Sequence, residues 1–243
     1  MPLLPFVAGS YGDQFNVSTD QRAHPLGSVM HLADGRRYKY GRATATEIAT
    51  ARLCQQTLNS ANFDELVVPT ARLAGVSQVT VTTGATACAV DLLKDGYLNV
   101  EDDTGEGYLY TIAGNDDAAT TATLTIRLRE PLQVAWTTDT TVLIYVNPYA
   151  QIIIHPSPAT AMLVGATNRV IPASNYGWWQ TWGPCSVLTQ GTVIINERVI
   201  DSASADGAVA PTASTAAGEE FYVGVVMEVA ATTEESLISL QIA

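Results

Sequence analysis

The chain has few charged side chains, and lysine is especially scarce. Of its 243 residues, 15% are charged, against about 25% in an average globular protein. Lys39 and Lys94 are its two lysines, and acidic residues outnumber basic ones by 24 to 12. A nucleic-acid binder needs a basic stripe that displaces counterions from phosphates. We therefore expect no nucleic acid among the partners.

Sequence features that hold metals, nucleotides or membranes are also lacking. The three cysteines, Cys54, Cys88 and Cys185, are far apart and form no CxxC or Cys/His pair, so we expect neither a zinc site nor a disulfide framework. No Walker A or GxGxxG motif occurs, and no apolar run reaches the roughly 18 residues that a membrane helix needs. The sequence therefore predicts no cofactor, no metal and no membrane partner.

Catalytic motifs are missing as well. His24, His31 and His155 lie far apart, and no G-x-S-x-G or other nucleophile turn accompanies them. A catalytic triad needs a nucleophile, a base and an orienting acid in contact. We therefore expect that the chain is not an enzyme.

Apolar residues, in contrast, are plentiful. They make up 47% of the chain, which is enough for a core, and the few charges suggest that part of the surface is buried in an assembly. Residues 1–27 contain turn formers and no periodicity. They are either a disordered terminus or an arm that orders on a neighbouring molecule, and the arm is favoured because the segment is apolar. Its candidate interface residues are Leu3, Leu4, Phe6, Val7, Tyr11 and Phe15.

Two local signals follow the arm. Asp34-Gly35 lies between two strand-like runs, which is typical of a two-residue type I′ hairpin. That register would pair Val29 with Tyr40 and His31 with Tyr38. Thr44 and Glu47 then form a T-x-x-E capping box, which predicts a short helix over residues 44–58.

The rest of the chain has the pattern of β structure. In residues 121–129, apolar side chains alternate with Thr and Arg, as in a half-buried strand. Further strands are predicted at 76–82, 107–112, 141–146, 150–154, 185–188, 192–196, 221–230 and 236–242, and residues 203–219 form a loop. The predicted fold class is mainly β, of the sandwich or barrel type, with an extended N-terminal arm, a hairpin and one short helix. We expect arm, hairpin and helix in 1–62, a β domain in 63–156 and a C-terminal β domain in 157–243.

Two clusters are candidate sites. Trp178, Trp179 and Trp182 could be core residues, interface anchors or a stacking platform for a sugar. Glu101, Asp102 and Asp103 could hold a calcium ion, although a solvated turn between two strands is favoured because turns recruit Asp and Gly.

Three stretches resemble capsid decoration or cement proteins of tailed bacteriophages. They are Pro25-Leu26-Gly27-Ser28 with the hairpin 32–40, Ile171-Pro172-Ala173 with 176–184, and 217–228 with 236–242. The resemblance implies a homotrimer or similar cluster on the outer face of a virion capsid, made in the host cytoplasm and bound to major capsid protein. It implies no catalytic residue.

Two functions follow as hypotheses. The first is a cement protein that bridges major capsid protein subunits and so stabilises the head, with residues 1–27 and the hairpin 28–40 as candidate contacts. The alternative is a carbohydrate- or receptor-binding virion protein that uses Trp178, Trp179 and Trp182.

Overall fold

The computed structural model describes residues 6–19, 24–212, 222–231 and 234–242, and these residues are predominantly β. The predicted mainly-β sandwich or barrel class is confirmed. The chain divides into two compact units. The terminal unit comprises residues 1–58 and 148–243, and the central unit comprises residues 59–147.

The strands are numbered along the chain. Those of the terminal unit are β1 (Phe6–Ala8), β2 (Val29–His31), β3 (Arg37–Arg42), β4 (Leu53–Gln56), β11 (Ile152–Ile154), β12 (Leu163–Thr167), β13 (Tyr176–Leu188), β14 (Arg198–Asp201), β15 (Val209–Pro211), β16 (Tyr222–Glu228) and β17 (Glu235–Gln241). Those of the central unit are β5 (Leu66–Val67), β6 (Gln78–Thr82), β7 (Tyr97–Asp102), β8 (Leu109–Asn115), β9 (Thr123–Leu128) and β10 (Thr141–Tyr145). Two 3-10 helices, Asp13–Phe15 and Ala61–Phe63, are the helices of the described residues.

The central unit is one antiparallel sheet with strand order β5-β10-β7-β8-β9-β6. Its edge strands β5 and β6 lie beside each other, so the sheet curls into a nearly closed barrel. Side chains alternate inward and outward along each strand. In β9, Leu124, Ile126 and Leu128 are buried, which confirms the alternation predicted for 121–129. Trp136 fills the barrel core and is 1% exposed.

The terminal unit is organised around the long strand β13. Residues 176–182 of β13 pair with β3, and residues 182–188 pair with β17. The remaining strands extend the sheet as β1-β2-β3 on one side and β17-β16-β14-β15 on the other, while β12, β4 and β11 continue from β13. The first half of β13 has a hydrophobic cluster on each face, since Trp178 belongs to one cluster and Trp179 to another.

The pairing of β3 with β13 corrects the predicted domain arrangement. The sequence placed 1–62 and 157–243 in separate regions, but the structure joins residues 1–58 and 148–243 in one unit. The pairing joins residues far apart in the chain, which local sequence patterns do not reveal. The predicted middle domain, 63–156, overlaps the central unit, 59–147.

The helix predicted over 44–58 is wrong. The backbone N–H of Thr44 donates to Ile152, that of Ile48 to Ile171, and that of Ala51 to Thr167. The segment continues as strand β4, whose four residues are all buried. The capping box signals only a helix start, and the apolar stripe behind it is weak, so pairing with neighbouring segments overrides helix propensity.

The hairpin after the arm exists, but its turn differs from the prediction. Leu32 N–H donates to Arg36 O and Gly35 N–H donates to Leu32 O, each at 3.0 Å, so the loop has three residues. Gly35 has φ of 88°, as in a turn closed by a bulge at a left-handed glycine. The register consequently pairs Met30 with Tyr38, not His31 with Tyr38.

Most other predicted strands are present with shifted ends, and one is not. Residues 192–196 lie outside any strand, because the chain turns at Ile195 and Asn196 before β14 starts. Asn196 has φ of 67°, and its N–H donates to Val226 O. Of the predicted loop 203–219, residues 203–208 turn from β14 into β15, and 213–219 lie outside the described residues.

Candidate functional site

The three clustered tryptophans do not share one surface. Trp178 and Trp179 are 4% and 0% exposed, whereas Trp182 is 41% exposed. The Arg37 guanidinium lies over the Trp182 ring at 5.2 Å. A register shift between Gln180 and Trp182 in the β13–β3 pairing marks where β13 passes from the interior to the surface. Trp178 and Trp179 are therefore core residues, and Trp182 alone of the three can meet a ligand or partner.

The described part of the N-terminal arm lies on its own unit. Strand β1 runs parallel to β2, Val7 packs on the cluster that contains Met30, and the His24 ring contacts Trp178 at 5.3 Å. Ser18 bridges Tyr176 through reciprocal backbone hydrogen bonds of 3.0 Å. This corrects the expectation that the arm needs a neighbouring molecule to become ordered.

The predicted arm contacts have different environments. Leu3 and Leu4 lie outside the described residues, and Phe6 belongs to β1. Val7 is half-buried, while Tyr11 and Phe15 are exposed. Among the predicted arm contacts that the structure describes, Tyr11 and Phe15 are therefore the side chains that a partner could contact.

A buried polar network fixes the bend of β13. The Gln180 amide nitrogen donates to the carbonyls of Trp182, Gly183 and Pro184 at 3.0, 3.1 and 2.8 Å. Its side-chain oxygen accepts from the Tyr38 hydroxyl at 3.1 Å and from the Asn168 amide at 3.0 Å. Burial raises the pKa of the Tyr38 hydroxyl, so this group remains a neutral donor. The network has a structural role, because it is enclosed and its donors are used.

The cysteines have the environment of inert core residues. Cys54, Cys88 and Cys185 are all buried. Burial raises the pKa of Cys54 and Cys185 to about 12, and that of Cys88 to about 11. Since the thiolate is the nucleophilic form, these thiols are poorly suited to covalent chemistry.

The three histidines lie on different elements of the terminal unit: His24 in the arm, His31 on β2 and His155 directly after β11. His155 is fully buried, and its Nδ1 and Nε2 lie 2.7 and 2.9 Å from the carbonyl oxygens of Pro156 and Ala208. His31 lies on β2 opposite Arg37, and burial followed by the charge of Arg37 lowers its pKa. The ring nitrogens of His155 face backbone carbonyls, so it acts as a structural bridge between two segments.

The acidic run after β7 lies at a turn, as the favoured interpretation held. β7 and β8 form the hairpin around it. The Asp103 carboxylate accepts from Thr137 Oγ1 at 2.5 Å and from Thr140 Oγ1 at 3.2 Å, and the Thr137 hydrogen bond lowers the pKa of Asp103. Among the described residues, no three His, Cys, Asp or Glu side chains are grouped so as to hold a metal ion.

One exposed face of the terminal unit contains Trp182. Across the second half of β13 and β17, Trp182 lies opposite Gln241, Pro184 opposite Ser239, and Ser186 opposite Leu237. We call these six residues the terminal face. None of them is charged, and residues 170–196, which include its β13 half, contain no charged side chain. Trp182 and Leu237 are its two large apolar side chains, 41% and 38% exposed.

A second exposed face lies on the central barrel, and sequence reasoning missed it. On the outside of β10, β7 and β8, the register aligns two rows of three residues. We call them the central face: Tyr145, Tyr97 and Thr111 in one row, and Leu143, Asn99 and Leu109 in the next. Leu109 is 61% and Tyr97 is 38% exposed. The sequence signal that could have revealed this face is the alternation of Tyr97 and Asn99 with the apolar residues Leu98 and Val100, which are buried.

An acidic groove continues from the central face. The next row along β10 and β7 holds Thr141, Glu101 and Asp102. The groove has a volume of about 630 Å³ and is lined by Asp64, Glu65, Val67, Glu101, Asp102 and Thr141. Burial and then the charge of Asp64 raise the pKa of Glu101, against the hydrogen bond from the Glu65 N–H. The crowded carboxylates give this end of the face a negative field.

Comparisons with known proteins do not place the chain in a family: no family model, no curated protein and no solved structure matches it. Within the described residues, no helix is long and apolar enough to cross a membrane. The resemblance to phage decoration proteins therefore remains a prediction.

Proposed function

We propose that the chain is a non-catalytic structural protein of a tailed-phage virion, which cements the outer face of the capsid by bridging subunits of the major capsid protein. In this proposal the protein is made in the host cytoplasm and binds the shell as a homotrimer or similar cluster. Nucleic acid and membranes are not among its partners.

The observation that supports this function is that each unit has its own exposed apolar sheet face. The terminal face includes Trp182 and Leu237, and the central face includes Tyr97 and Leu109. Each unit also has its own hydrophobic core. A bridging protein needs at least two binding surfaces, and the exposed face on each unit is our candidate for one of them.

Two moderate contacts suffice for tight bridging. When the first face binds, the second face is held near its own target at a high effective concentration, which can raise affinity by about 10²–10⁴. Packaged nucleic acid pushes shell subunits apart, so a clamp across them increases the free energy needed to separate them. Low charge on the faces suits this role, because burying unpaired charge is costly.

The proposal is tested on heads assembled with and without the gene for this chain. We expect heads with the gene to contain the protein at a fixed ratio to major capsid protein, measured by quantitative mass spectrometry. Heads without it should rupture at a lower temperature, and added purified protein should restore the higher rupture temperature. The proposal would be overturned if purified heads lacked the protein, or if their rupture temperature were the same with and without it.

Two of the three tryptophans proposed for carbohydrate binding are not accessible to a ligand. Trp178 and Trp179 are in the core, so Trp179→Ala would disturb folding and cannot separate the two functions. The informative variant is Trp182→Ala, because its ring is exposed and the terminal face remains otherwise intact. Glycan binding that disappears in this folded variant would favour the alternative.

A further inference from the structure

We propose that the central face docks on a protein surface with an apolar centre and a basic rim. This inference rests on the proposed function in naming the shell as the place where such a surface is met. It adds which face of this chain meets the partner and what charge the partner carries.

The central face is mostly apolar, since four of its six residues are Tyr or Leu, and its strands hold them in register. Tyr97 pairs with Tyr145 across β7 and β10, and Asn99 pairs with both Leu143 and Leu109. These residues alternate with the buried side chains Leu98, Val100 and Ile144, which anchor them in the barrel. A rigid face of Tyr and Leu side chains loses little conformational entropy on binding.

The rim of the central face is acidic. Beyond Leu143 and Asn99, the next row leads into the groove lined by Asp64, Glu65, Glu101 and Asp102. Beyond Thr111, the Glu130 carboxylate accepts the Thr111 N–H at 2.9 Å.

One cation near this rim, Arg129, is paired with a carboxylate. Arg129 follows β9, donates its backbone N–H to Thr111 O, and forms an ion pair of 2.5 Å with Asp95. The rim therefore presents an excess of negative charge to a partner.

The charge of the whole unit agrees with this rim. Residues 59–147 contain 12 acidic and 4 basic residues, so the central unit holds −8 of the chain's net charge of −12. A second copy of this chain would present the same negative rim, and like-charge juxtaposition disfavours that pairing. A lysine- or arginine-rimmed partner would be attracted and guided into register.

Two variants of opposite charge at one position test whether the partner of the central face is basic. Leu109→Lys and Leu109→Glu remove the same apolar side chain and introduce opposite charges on the β8 side of the face. On heads that lack the protein, Leu109→Lys should weaken binding roughly tenfold more than Leu109→Glu if the partner is basic. Leu73→Lys is the matched control, because Leu73 is 76% exposed and lies between β5 and β6, outside both faces. Thermal melts of all variants confirm folding.

A second measurement does not depend on heads. The full ¹⁵N-labelled protein is titrated with a synthetic peptide of alternating Leu and Lys, and separately with one of alternating Leu and Glu. The Lys peptide should shift the amide resonances of Tyr97, Asn99 and Leu109, and the Glu peptide should not. Equal shifts with both peptides, or none at these residues, would overturn the inference.

The two measurements separate the two claims. If heads bind the wild-type protein but the Leu109 variants and the Leu73→Lys control bind alike, the proposed function stands and the central face is not the contact. If heads do not bind but the Lys peptide maps to the central face, the proposed function fails and the basic partner must be sought elsewhere. Self-association of the wild-type protein that Leu109→Glu weakens and Leu73→Lys leaves unchanged would identify a second copy as the occupant and overturn the inference.

Discussion

The Tyr38 hydroxyl donates to the side-chain oxygen of Gln180 at 3.1 Å inside the terminal unit. This bond connects β3, near the start of the chain, to β13, near its last third. Gln180 in turn donates to the carbonyls of the residues at which β13 bends. The Tyr38–Gln180 hydrogen bond therefore connects the β3–β13 pairing to the part of β13 that exposes Trp182 on the terminal face.

Removing the Gln180 amide should destabilise the terminal unit strongly. In Gln180→Met the side chain keeps its length, but the buried carbonyls at the bend lose their donor. Each buried group left unpaired costs about 1–3 kcal/mol, so we expect a loss of about 2–4 kcal/mol in the free energy of unfolding. Urea denaturation measures it. Tyr38→Phe, which leaves the Asn168 bond to Gln180 in place, should cost only about 1 kcal/mol; equal losses would contradict this account of the bend.

Gly165→Ala should destabilise the protein more than Gly35→Ala. Gly165 has φ of 141°, and an added Cβ would lie 2.7 Å from the Gln180 carbonyl oxygen, which is backbone. Gly35 has φ of 88° with no atom near an added Cβ, so its cost is the left-handed strain of about 1 kcal/mol alone. Thermal melts compare the two. If Gly165→Ala were as stable as Gly35→Ala, the backbones of β12 and β13 could not approach each other as closely as the Gly165–Gln180 contact requires.

Deleting residues 1–9 should lower stability, because the arm covers part of its own unit. Val7 packs on the cluster of Met30, which is fully buried. Uncovering a buried methionine costs about 1.5–3 kcal/mol, and the free energy of unfolding should fall by about 2 kcal/mol. Chemical denaturation of the truncated chain tests this expectation. Unchanged stability would mean that the arm does not contribute to the fold.

The pH dependence of stability should report on Glu101 in the acidic groove. Its pKa is raised above the ordinary value of 4.5, so between that value and its folded pKa the folded state binds more protons than the unfolded state. The unfolding free energy therefore falls as pH rises through this window. Glu101→Gln removes the effect and should be more stable than wild type at neutral pH.

The advantage of Glu101→Gln should shrink as the pH falls toward 4.5. Melting temperatures measured across this range provide the comparison. Asp117→Asn is the control, since Asp117 is exposed and does not line the groove. A constant difference between Glu101→Gln and wild type at every pH would contradict the proposed crowding of carboxylates.

Local patterns predicted the elements whose signal is contained in a few neighbouring residues. Strand 121–129 alternates clearly, and Ile238, Leu240 and Ile242 share a buried face as expected. The helix at 44–58 failed because its backbone groups pair with Ile152, Ile171 and Thr167, none of which a local pattern can identify. The hairpin register failed by one residue, since Asp-Gly also fits a three-residue loop closed by a bulge.

The candidate site was harder to predict than the fold. The tryptophan run left core, interface and sugar platform open as alternatives, and only the fold reveals that Trp182 alone of the three is exposed. The central face combines residues of the β7–β8 hairpin with residues of β10, which follows after the intervening strand β9, and these become neighbours only through the register. An exposed face of this kind is set by strand pairing, because each strand alone shows only alternation.

The binding isotherm of the purified full chain on phage heads that lack it tests the two-face account most directly. We expect saturable binding, weakened by Leu109→Lys on the central face and by Leu237→Lys on the terminal face, while Leu73→Lys binds like wild type. Loss of either face should reduce affinity by about 10²-fold or more, because bridging depends on both. Heads that fail to bind the wild-type protein, or that bind a variant carrying both Leu109→Lys and Leu237→Lys as tightly as wild type, would contradict the account.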